Sequence, residues 1–259
     1  MNYENLIIET SQDFVTEITL NRPNQMNTFN TPLAQELNSA LEEMESDDLT
    51  RVIIVKGAGR AFCAGIDISE FSDRTANEYR EWIERMERPL VTISHISKPV
   101  IAQVHGVAAA NGAGLVAAAD LAIASKSARF GLTAINVGLN CVGPVVPVAR
   151  SVGRKRALEL LLFGDLIKAP EALEMGLINK VTASENLERE TRSWAVRLAQ
   201  KSPLALQIAK KAFYTATDMD YERAFQYMNE AFARLCTTQD AHEGVDAFLA
   251  KRDPVWKQC

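Results

Sequence analysis

Segments with the patterns of strands and of helices alternate along the first three quarters of this chain. The segments NLIIET and VTEITLN have the composition of short strands, and RVIIVKG is an apolar run typical of a buried strand. From Glu78 to Ile93, apolar residues recur at helical spacing. This alternation predicts a largely parallel sheet whose strands are connected by helices.

The remaining elements follow from the same patterns. Further strands are predicted at PVIAQVHG, DLAIAS and LINKVT, and further helices at GAGLVAAA and KRALELLLFG. We expect another helix to begin with Thr31 as its N-cap and Pro32 at its first position. A loop rich in Gly and Pro is expected between Gly131 and the KRALELLLFG helix. From Ser184 onward the pattern is almost entirely helical.

Composition argues against several classes of partner. The 259 residues carry a net charge of −5 without a basic run, so neither nucleic acid nor an anionic membrane is an expected partner. Four scattered cysteines and three histidines do not suggest a metal site. The chain has no run of about 18 apolar residues and no signal-peptide pattern. With its thiols expected to be reduced, we expect a cytoplasmic protein.

The segment VAAANGAGLVAAAD, from Val107 to Asp120, is poor in reactive side chains. Its NGAG portion opens a predicted helix, where backbone N–H groups lack intrahelical partners and carry the positive end of the helix dipole. Such groups can bind an anion or an oxyanion. The alternative is a helix start packed tightly on a neighbour, for which small residues are equally suited.

Two earlier motifs are also rich in small residues. In AFCAGIDISEF, from Ala61 to Phe71, small residues allow the backbone to approach a ligand, and Asp67 can cap a following helix. Taken alone, the segment is typical of a turn. GAGR, from Gly57 to Arg60, is interpreted as a tight turn, because Phe62 occupies the third glycine position of a dinucleotide-binding fingerprint.

Several side chains near these motifs are candidates for proton transfer, each with a structural alternative. His105 ends a strand beside the glycines, where a structural hydrogen bond is the usual role. Glu70 and Asp73 follow the first motif, and solvent-facing positions would explain them equally. Cys141 is interpreted as a buried, inert thiol.

Taken together and in order along the whole chain, these segments resemble the crotonase superfamily of enoyl-CoA hydratases and isomerases. The motifs that carry the resemblance are ITLNRPNQMN, AFCAGIDISEF, KPVIAQVHG, GLVAAADLAIAS, ARFGL, FGD, EALEMGLINKV and EGVDAFLAKR. The resemblance implies an α/β fold, the crotonase (ClpP-like) spiral of β-β-α turns with a helical C-terminal trimerisation region. We expect residues 1–200 to form the spiral core and 201–259 the helical region.

The resemblance also implies a binding site for an acyl-CoA thioester. The backbone N–H groups of Ile66 and Asn111 are expected to bind the thioester oxygen. Coenzyme A, as part of the substrate, is expected to lie along one segment and to contact two residues of the C-terminal helices. These residues are Ala64, Ile66, Asp67, Ile68 and Ser69 in the segment, and Phe232 and Lys251 in the helices. No metal or other cofactor is implied, and the expected assembly is a homotrimer or hexamer.

One departure from the family pattern bears on the reaction. The two glutamates with which hydratases of the family activate water correspond to Gly114 and Ala134, and the aspartate used by some isomerases corresponds to Val142. One general acid or base contributes roughly 10²–10⁴ in rate. Ordinary hydration is therefore not expected, and the chain is nearest to the branch lacking both glutamates.

Two hypotheses follow. The first is an enzyme of the enoyl-CoA hydratase/isomerase type, a lyase, isomerase or decarboxylase that stabilises an enolate and uses another acid or base. Candidates for that group are Glu70, Asp73, His105, Asn140 and Cys141. The second is a non-catalytic oligomer that binds acyl-CoA. The acyl group is not specified, although Tyr79, Trp82, Met86 and Leu132 are expected either to line its pocket or to pack in the core.

Overall fold

The computed structural model describes residues 3–258, which contain two β-sheets surrounded by helices. The strands are β1 (Leu6–Thr10), β2 (Val15–Leu20), β3 (Val52–Gly57), β4 (Val100–Val104), β5 (Val107–Ala109), β6 (Leu121–Ser125), β7 (Arg129–Gly131), β8 (Ile167–Lys168) and β9 (Lys180–Thr182).

The helices follow the strands in the alternating order predicted from the sequence. They are α1 (Thr31–Ser46), α2 (Ala76–His95), α3 (Asn111–Ala118), α4 (Val145–Val152), α5 (Arg154–Phe163), α6 (Ala169–Glu174), α7 (Leu187–Ala199), α8 (Pro203–Ala216), α9 (Tyr221–Cys236) and α10 (Gln239–Ala250). None of the helices described is long and apolar enough to cross a membrane.

The larger sheet has the strand order β1-β2-β3-β4-β6-β9. Only the β1–β2 pair is antiparallel, and the other neighbours are parallel. This confirms the prediction of a largely parallel sheet. The smaller sheet, β5-β7-β8, was not predicted, because its strands have only two or three residues each and show no periodicity.

The larger sheet is buried on both faces, which explains why β3 is apolar throughout. Ile53 and Val55 belong to the main core, which also contains residues of α1 and α2. Val52 and Ile54 pack with Ala195 and other residues of α7 in a second cluster. Because successive side chains of a strand point to opposite faces, one continuous apolar run serves both layers.

Two local predictions were wrong. Asn30, and not Thr31, is the N-cap of α1, since its side chain accepts a hydrogen bond from the N–H of Leu33. The expected loop after Gly131 contains α4, which begins at Val145. Pro147 is compatible with that helix because it lies in the first turn, where backbone N–H groups have no intrahelical acceptor.

Helix α8 is attached to the sheet through the carboxylate of Asp120. Its Oδ2 atom accepts hydrogen bonds from the N–H of Val100 (2.7 Å) and from Lys210 Nζ (2.7 Å), and Oδ1 accepts one from the Tyr214 hydroxyl (2.9 Å). The Lys210 and Asp120 side chains are only 6% and 17% exposed. Lys210 also donates to the carbonyl of Lys98. The acid that ends the small-residue segment is therefore structural.

We predict that Lys210→Ala lowers the free energy of unfolding by about 3 kcal/mol, because removing one partner of a buried ion pair leaves the other charge uncompensated. Lys201→Ala, at an exposed position just before α8, should change it by less than about 0.5 kcal/mol. Urea unfolding followed by circular dichroism measures both. Equal stability of the two variants would contradict the role of this pair.

Candidate active site

The first motif and the small-residue segment run side by side in the structure. The N–H of Cys63 donates to the carbonyl of Val107 (3.1 Å), and the N–H of Ala109 donates to the carbonyl of Cys63 (2.9 Å). The two segments thus form a parallel bridge at Cys63 and Ala108. A Cβ atom on Gly112 would overlap the carbonyl oxygen of Cys63, so only glycine permits this approach.

This pairing brings Ile66 and Asn111 to the same place. Gly65 has a φ of +116°, and a Cβ on it would lie 3.1 Å from the Cβ of Ala110. Ala110 has a φ of +48°, which is rare for a residue with a side chain, and turns the chain into α3. Ile66 and Asn111 directly follow these two residues and line the same cavity.

The backbone N–H groups of Ile66 and Asn111 belong to residues of the cavity lining. Neither donates a hydrogen bond to any of the residues described. Asn111 is the first residue of α3, so its N–H has no intrahelical acceptor and lies at the positive end of the helix dipole. Two free donors at one cavity wall are what an oxyanion hole requires.

The cavity has a volume of about 610 Å³ and mainly apolar walls. Its lining includes Met26, Ile68, Phe71, Tyr79, Trp82, Ile83, Val137, Leu139, Val142 and Pro144. Of the four residues considered for an acyl pocket, Tyr79 and Trp82 line the cavity, whereas Met86 and Leu132 are fully buried in the core. Apolar walls of this kind suit an acyl chain.

Three of the five candidates for proton transfer lie outside the cavity lining. Glu70 accepts hydrogen bonds from the N–H and hydroxyl of Thr31 at the start of α1 and from the indole N–H of Trp82. His105 makes a hydrogen bond through Nε2 to the carbonyl of Gly59, which is the structural role considered for it. Asp73 is exposed.

The other two candidates, Asn140 and Cys141, do line the cavity. The Cys141 thiol is buried, as predicted, and this burial raises its pKa. A protonated thiol is a weak nucleophile, so the structure supports the interpretation of an inert thiol. Burial likewise raises the pKa of the Cys63 thiol to about 12.

The three positions at which the resemblance implies acidic residues in other members of the family lie in or next to the cavity lining. Ala134 and Val142 line the cavity. Gly114 is buried, and a Cβ on it would lie 2.8 Å from Leu90 Cδ2 and 3.0 Å from Pro144 Cα. Because a backbone atom is one of these neighbours, a longer side chain at position 114 would have to displace the loop that contains Pro144.

The sequence patterns did not identify Glu87 as a site residue, yet it lines the cavity. Among the lining residues described it is the only Asp, Glu, Lys, Arg or His. Burial raises the pKa of its carboxyl group. The available signal was its spacing on α2, because Tyr79, Ile83 and Glu87 follow one another at intervals of four along the apolar face.

The five residues of the segment from Ala64 to Ser69 that are predicted to contact coenzyme A fall into two groups. Ala64, Ile66 and Ile68 line the cavity. Asp67 and Ser69 adjoin them but bond to other residues: Asp67 Oδ2 pairs with Arg22 (2.8 Å), and Asp67 Oδ1 accepts from the N–H and hydroxyl of Ser69. Burial opposes ionisation of Asp67, but these bonds outweigh it and hold its pKa below the ordinary value. Asp67 thus caps the short turn that follows, as predicted.

Phe232 and Lys251 do not reach the cavity within one chain. Phe232 lies on α9 and is 66% exposed, and Lys251 is exposed at the end of α10. The roles predicted for all seven residues in binding coenzyme A stay predictions.

We predict that Gly112→Ala destabilises the protein by about 1–3 kcal/mol, because the new methyl group would force the Cys63 segment away from α3. Helix propensity alone would give the opposite sign, a gain of up to about 1 kcal/mol. Gly244→Ala in α10 is the control. The nearest neighbours of a Cβ at position 244 would be Trp256 ring atoms at 3.3 and 3.4 Å, and not a backbone carbonyl as at position 112. Urea unfolding distinguishes the two signs, and a stabilised Gly112→Ala protein would refute the close approach.

Comparisons with known proteins identify the family. The model described as Enoyl-CoA hydratase/isomerase matches residues 10–259. Enoyl-CoA hydratase domain-containing protein 3, mitochondrial, of Mus musculus is 36% identical over 247 residues, covering 95% of this chain and 82% of that protein. The 1,2-epoxyphenylacetyl-CoA isomerase of Escherichia coli is 37% identical over 252 residues, covering 93% of this chain and 94% of that protein.

The crystal structure of an enoyl-CoA hydratase from Mycobacterium smegmatis has a TM-score of 0.94 at 35% identity and covers 97% of this chain and 98% of that chain. The chain therefore has the α/β crotonase fold and belongs to the enoyl-CoA hydratase/isomerase family, whose members act on acyl-CoA.

Proposed function

We propose that this protein is an enzyme that stabilises the enolate of an acyl-CoA thioester. The observation that carries the proposal is that two backbone N–H groups, those of Ile66 and Asn111, lie at one apolar cavity and have no acceptor among residues 3–258. Loss of a proton or of carbon dioxide next to the thioester places negative charge on the carbonyl oxygen. Two preorganised donors favour that charged state over the neutral substrate.

The expected energetic effect of this arrangement is large. Each donor of an oxyanion hole contributes about 3 kcal/mol to lowering the barrier. The cavity walls are mainly apolar, so the attraction between the donors and the enolate oxygen is less screened there than in bulk water. The strained conformation of Ala110 supports the same interpretation, because backbone strain is retained where it positions functional groups.

Isomerisation or decarboxylation fits the site better than hydration of a double bond. Hydration needs groups that activate water and protonate carbon, and the positions at which hydratases of the family carry them hold Gly114 and Ala134. An isomerase moves one proton within the substrate, and a decarboxylase needs mainly enolate stabilisation. The name of the Escherichia coli relative is that of an isomerase.

Assembly into a homotrimer or hexamer is part of the proposal. Several large apolar side chains of α9 and α10 are exposed in the single chain: Phe225, Met228, Phe232, Phe248 and Leu249. Exposed apolar surface of this kind marks protein interfaces. In such an assembly, Phe232 and Lys251 of one subunit would approach coenzyme A bound to another.

Other parts of the proposal rest on the sequence alone. We keep as predictions a cytoplasmic location, the absence of a metal or a cofactor other than the coenzyme A of the substrate, and the division between residues 1–200 and 201–259.

We expect purified protein to bind acyl-CoA esters with micromolar affinity and to hydrate crotonyl-CoA slowly, at least a hundredfold below typical enzymes of the class, because both glutamates are absent. The measurements are calorimetry for binding, loss of absorbance for hydration, and mass spectrometry with branched, cyclic and malonyl-type esters for other reactions. Rapid hydration of crotonyl-CoA would contradict the interpretation of Gly114 and Ala134. Binding without turnover of any ester would favour a non-catalytic acyl-CoA-binding oligomer.

We predict that Lys251→Ala raises the Kd for an acyl-CoA ester about tenfold without changing the oligomer, because it removes a charged hydrogen-bond donor to phosphate. Lys155→Ala on α5, also exposed, is the matched control and should leave the Kd unchanged. Calorimetry gives the Kd, and analytical ultracentrifugation gives the expected trimer or hexamer. A monomer that binds acyl-CoA with full affinity would refute binding across subunits.

A further inference from the structure

We propose that Glu87, on α2, is the general acid–base residue of this site. The proposal rests on the proposed function, since it assigns the proton-transfer group that enolate chemistry at the Ile66 and Asn111 donors requires. Three observations support it: the carboxylate lies at the cavity, it has no hydrogen-bond or ion-pair partner among residues 3–258, and it packs against Gly143.

The first step is the position of Glu87 relative to the oxyanion hole. The side-chain amide of Asn111 donates a hydrogen bond to the carbonyl of Met86 (3.3 Å). The backbone of α2 is therefore held against the start of α3 at the residue immediately before Glu87. Glu87 and Asn111 line one cavity. A thioester bound at the N–H of Asn111 would consequently occupy the cavity that this carboxylate lines.

The second step concerns the place left by the missing glutamate. A side chain at position 114 would point towards Pro144. The preceding residue, Gly143, lies against Glu87, because a Cβ on Gly143 would overlap the Glu87 carboxylate. Glu87, on α2, therefore contacts the loop at Gly143. A side chain at position 114, on α3, would contact the same loop one residue later, at Pro144. The glycine at position 143 makes room for it.

The third step is the absence of a structural role. No hydrogen bond or ion pair to the Glu87 carboxylate is found within residues 3–258. By contrast, Glu78 caps α2 and Glu84 pairs with Arg80. Arg150, which lines a second cavity bordered by Glu87, is paired with Asp218. A carboxylate in apolar surroundings without a partner is costly, so such groups are candidates for function.

The environment of Glu87 also favours its use as a base. Burial raises the pKa of its carboxyl group, which makes the carboxylate a stronger base than an exposed glutamate. The other ionisable side chains that line the cavity are the Cys141 thiol and the Tyr79 hydroxyl. The Tyr79 hydroxyl donates to the carbonyl of Ser72 (2.7 Å).

The proton-transfer step balances without another reactant. The Glu87 carboxylate takes a proton from C2 of the acyl group, and the electron pair of that C–H bond forms the C1–C2 double bond of the enolate. The negative charge moves to the thioester oxygen at the two N–H groups. The carboxylic acid then returns the proton to C2 or, where the substrate has a C3–C4 double bond, to C4, which shifts the double bond to C2–C3.

The test uses trans-3-hexenoyl-CoA in D₂O with the full-length protein. Mass spectrometry follows deuterium incorporation, absorbance follows the 2-enoyl product, and calorimetry gives the Kd. We expect Glu87→Gln to lower exchange and isomerisation by about 10²–10⁴-fold while the Kd stays within threefold of wild type. Glu84→Gln, one turn earlier and exposed, is the matched control and should exchange at the wild-type rate.

A second variant separates catalysis from structure. Glu87→Ala leaves a space at the cavity wall, and acetate added to this variant should restore part of the exchange because it supplies a free carboxylate. A purely structural effect of Glu87 would not respond to acetate. Melting temperatures of all variants verify that they fold.

Failure of the two proposals gives different results. If wild-type protein does not bind the ester, the proposed function fails. If it binds and exchanges deuterium and Glu87→Gln does so at the same rate, the assignment of Glu87 fails while the proposed function stands. Binding by the wild type without any exchange also overturns the assignment.

Discussion

The parallel pairing between the Cys63 segment and strand β5 is the interaction on which the site depends. Two backbone hydrogen bonds join the segments, and Gly112 packs directly on the Cys63 carbonyl. Since this contact leaves no space for a side chain, the small residues around it follow from the geometry. The pairing places two N–H groups from distant parts of the chain at one cavity. A site made of backbone groups needs few reactive side chains, which explains the composition of the segment.

Helix α2 contributes side chains to the cavity, among them the Glu87 carboxylate, which backbone N–H groups cannot replace as a base. Its apolar face packs in the core through Met86 and lines the cavity through Tyr79 and Trp82. Glu87 lies along the same face, at the border between core and cavity. Buried apolar neighbours and the hydrogen bond from Asn111 to the Met86 carbonyl position the backbone of the helix relative to α3. One helix therefore combines packing, the shape of the cavity and, in our proposal, proton transfer.

The C-terminal helices are coupled to the same region through Asp120. This residue lies two positions after the end of α3 and binds Lys210 and Tyr214 of α8. Helix α8, the first helix of the region that exposes Phe232 and Lys251, is thus anchored to the segment that follows α3.

Local signals in the sequence determined most of the elements, the cap at Asp67 and, through the order of the motifs, the family. These features depend on residues that are neighbours along the chain, so periodicity and capping patterns reveal them. The N-cap at Asn30 was missed because the adjacent Thr31 is an equally good capping residue, and helix α4 was missed because Gly143, Pro144 and Pro147 are typical of a loop. Only the tertiary structure decided that Glu70 and His105 serve structural hydrogen bonds while Glu87 faces the cavity. Which side chains share a cavity depends on packing between α2, α3 and the loop at Gly143, and no local pattern encodes those long-range contacts.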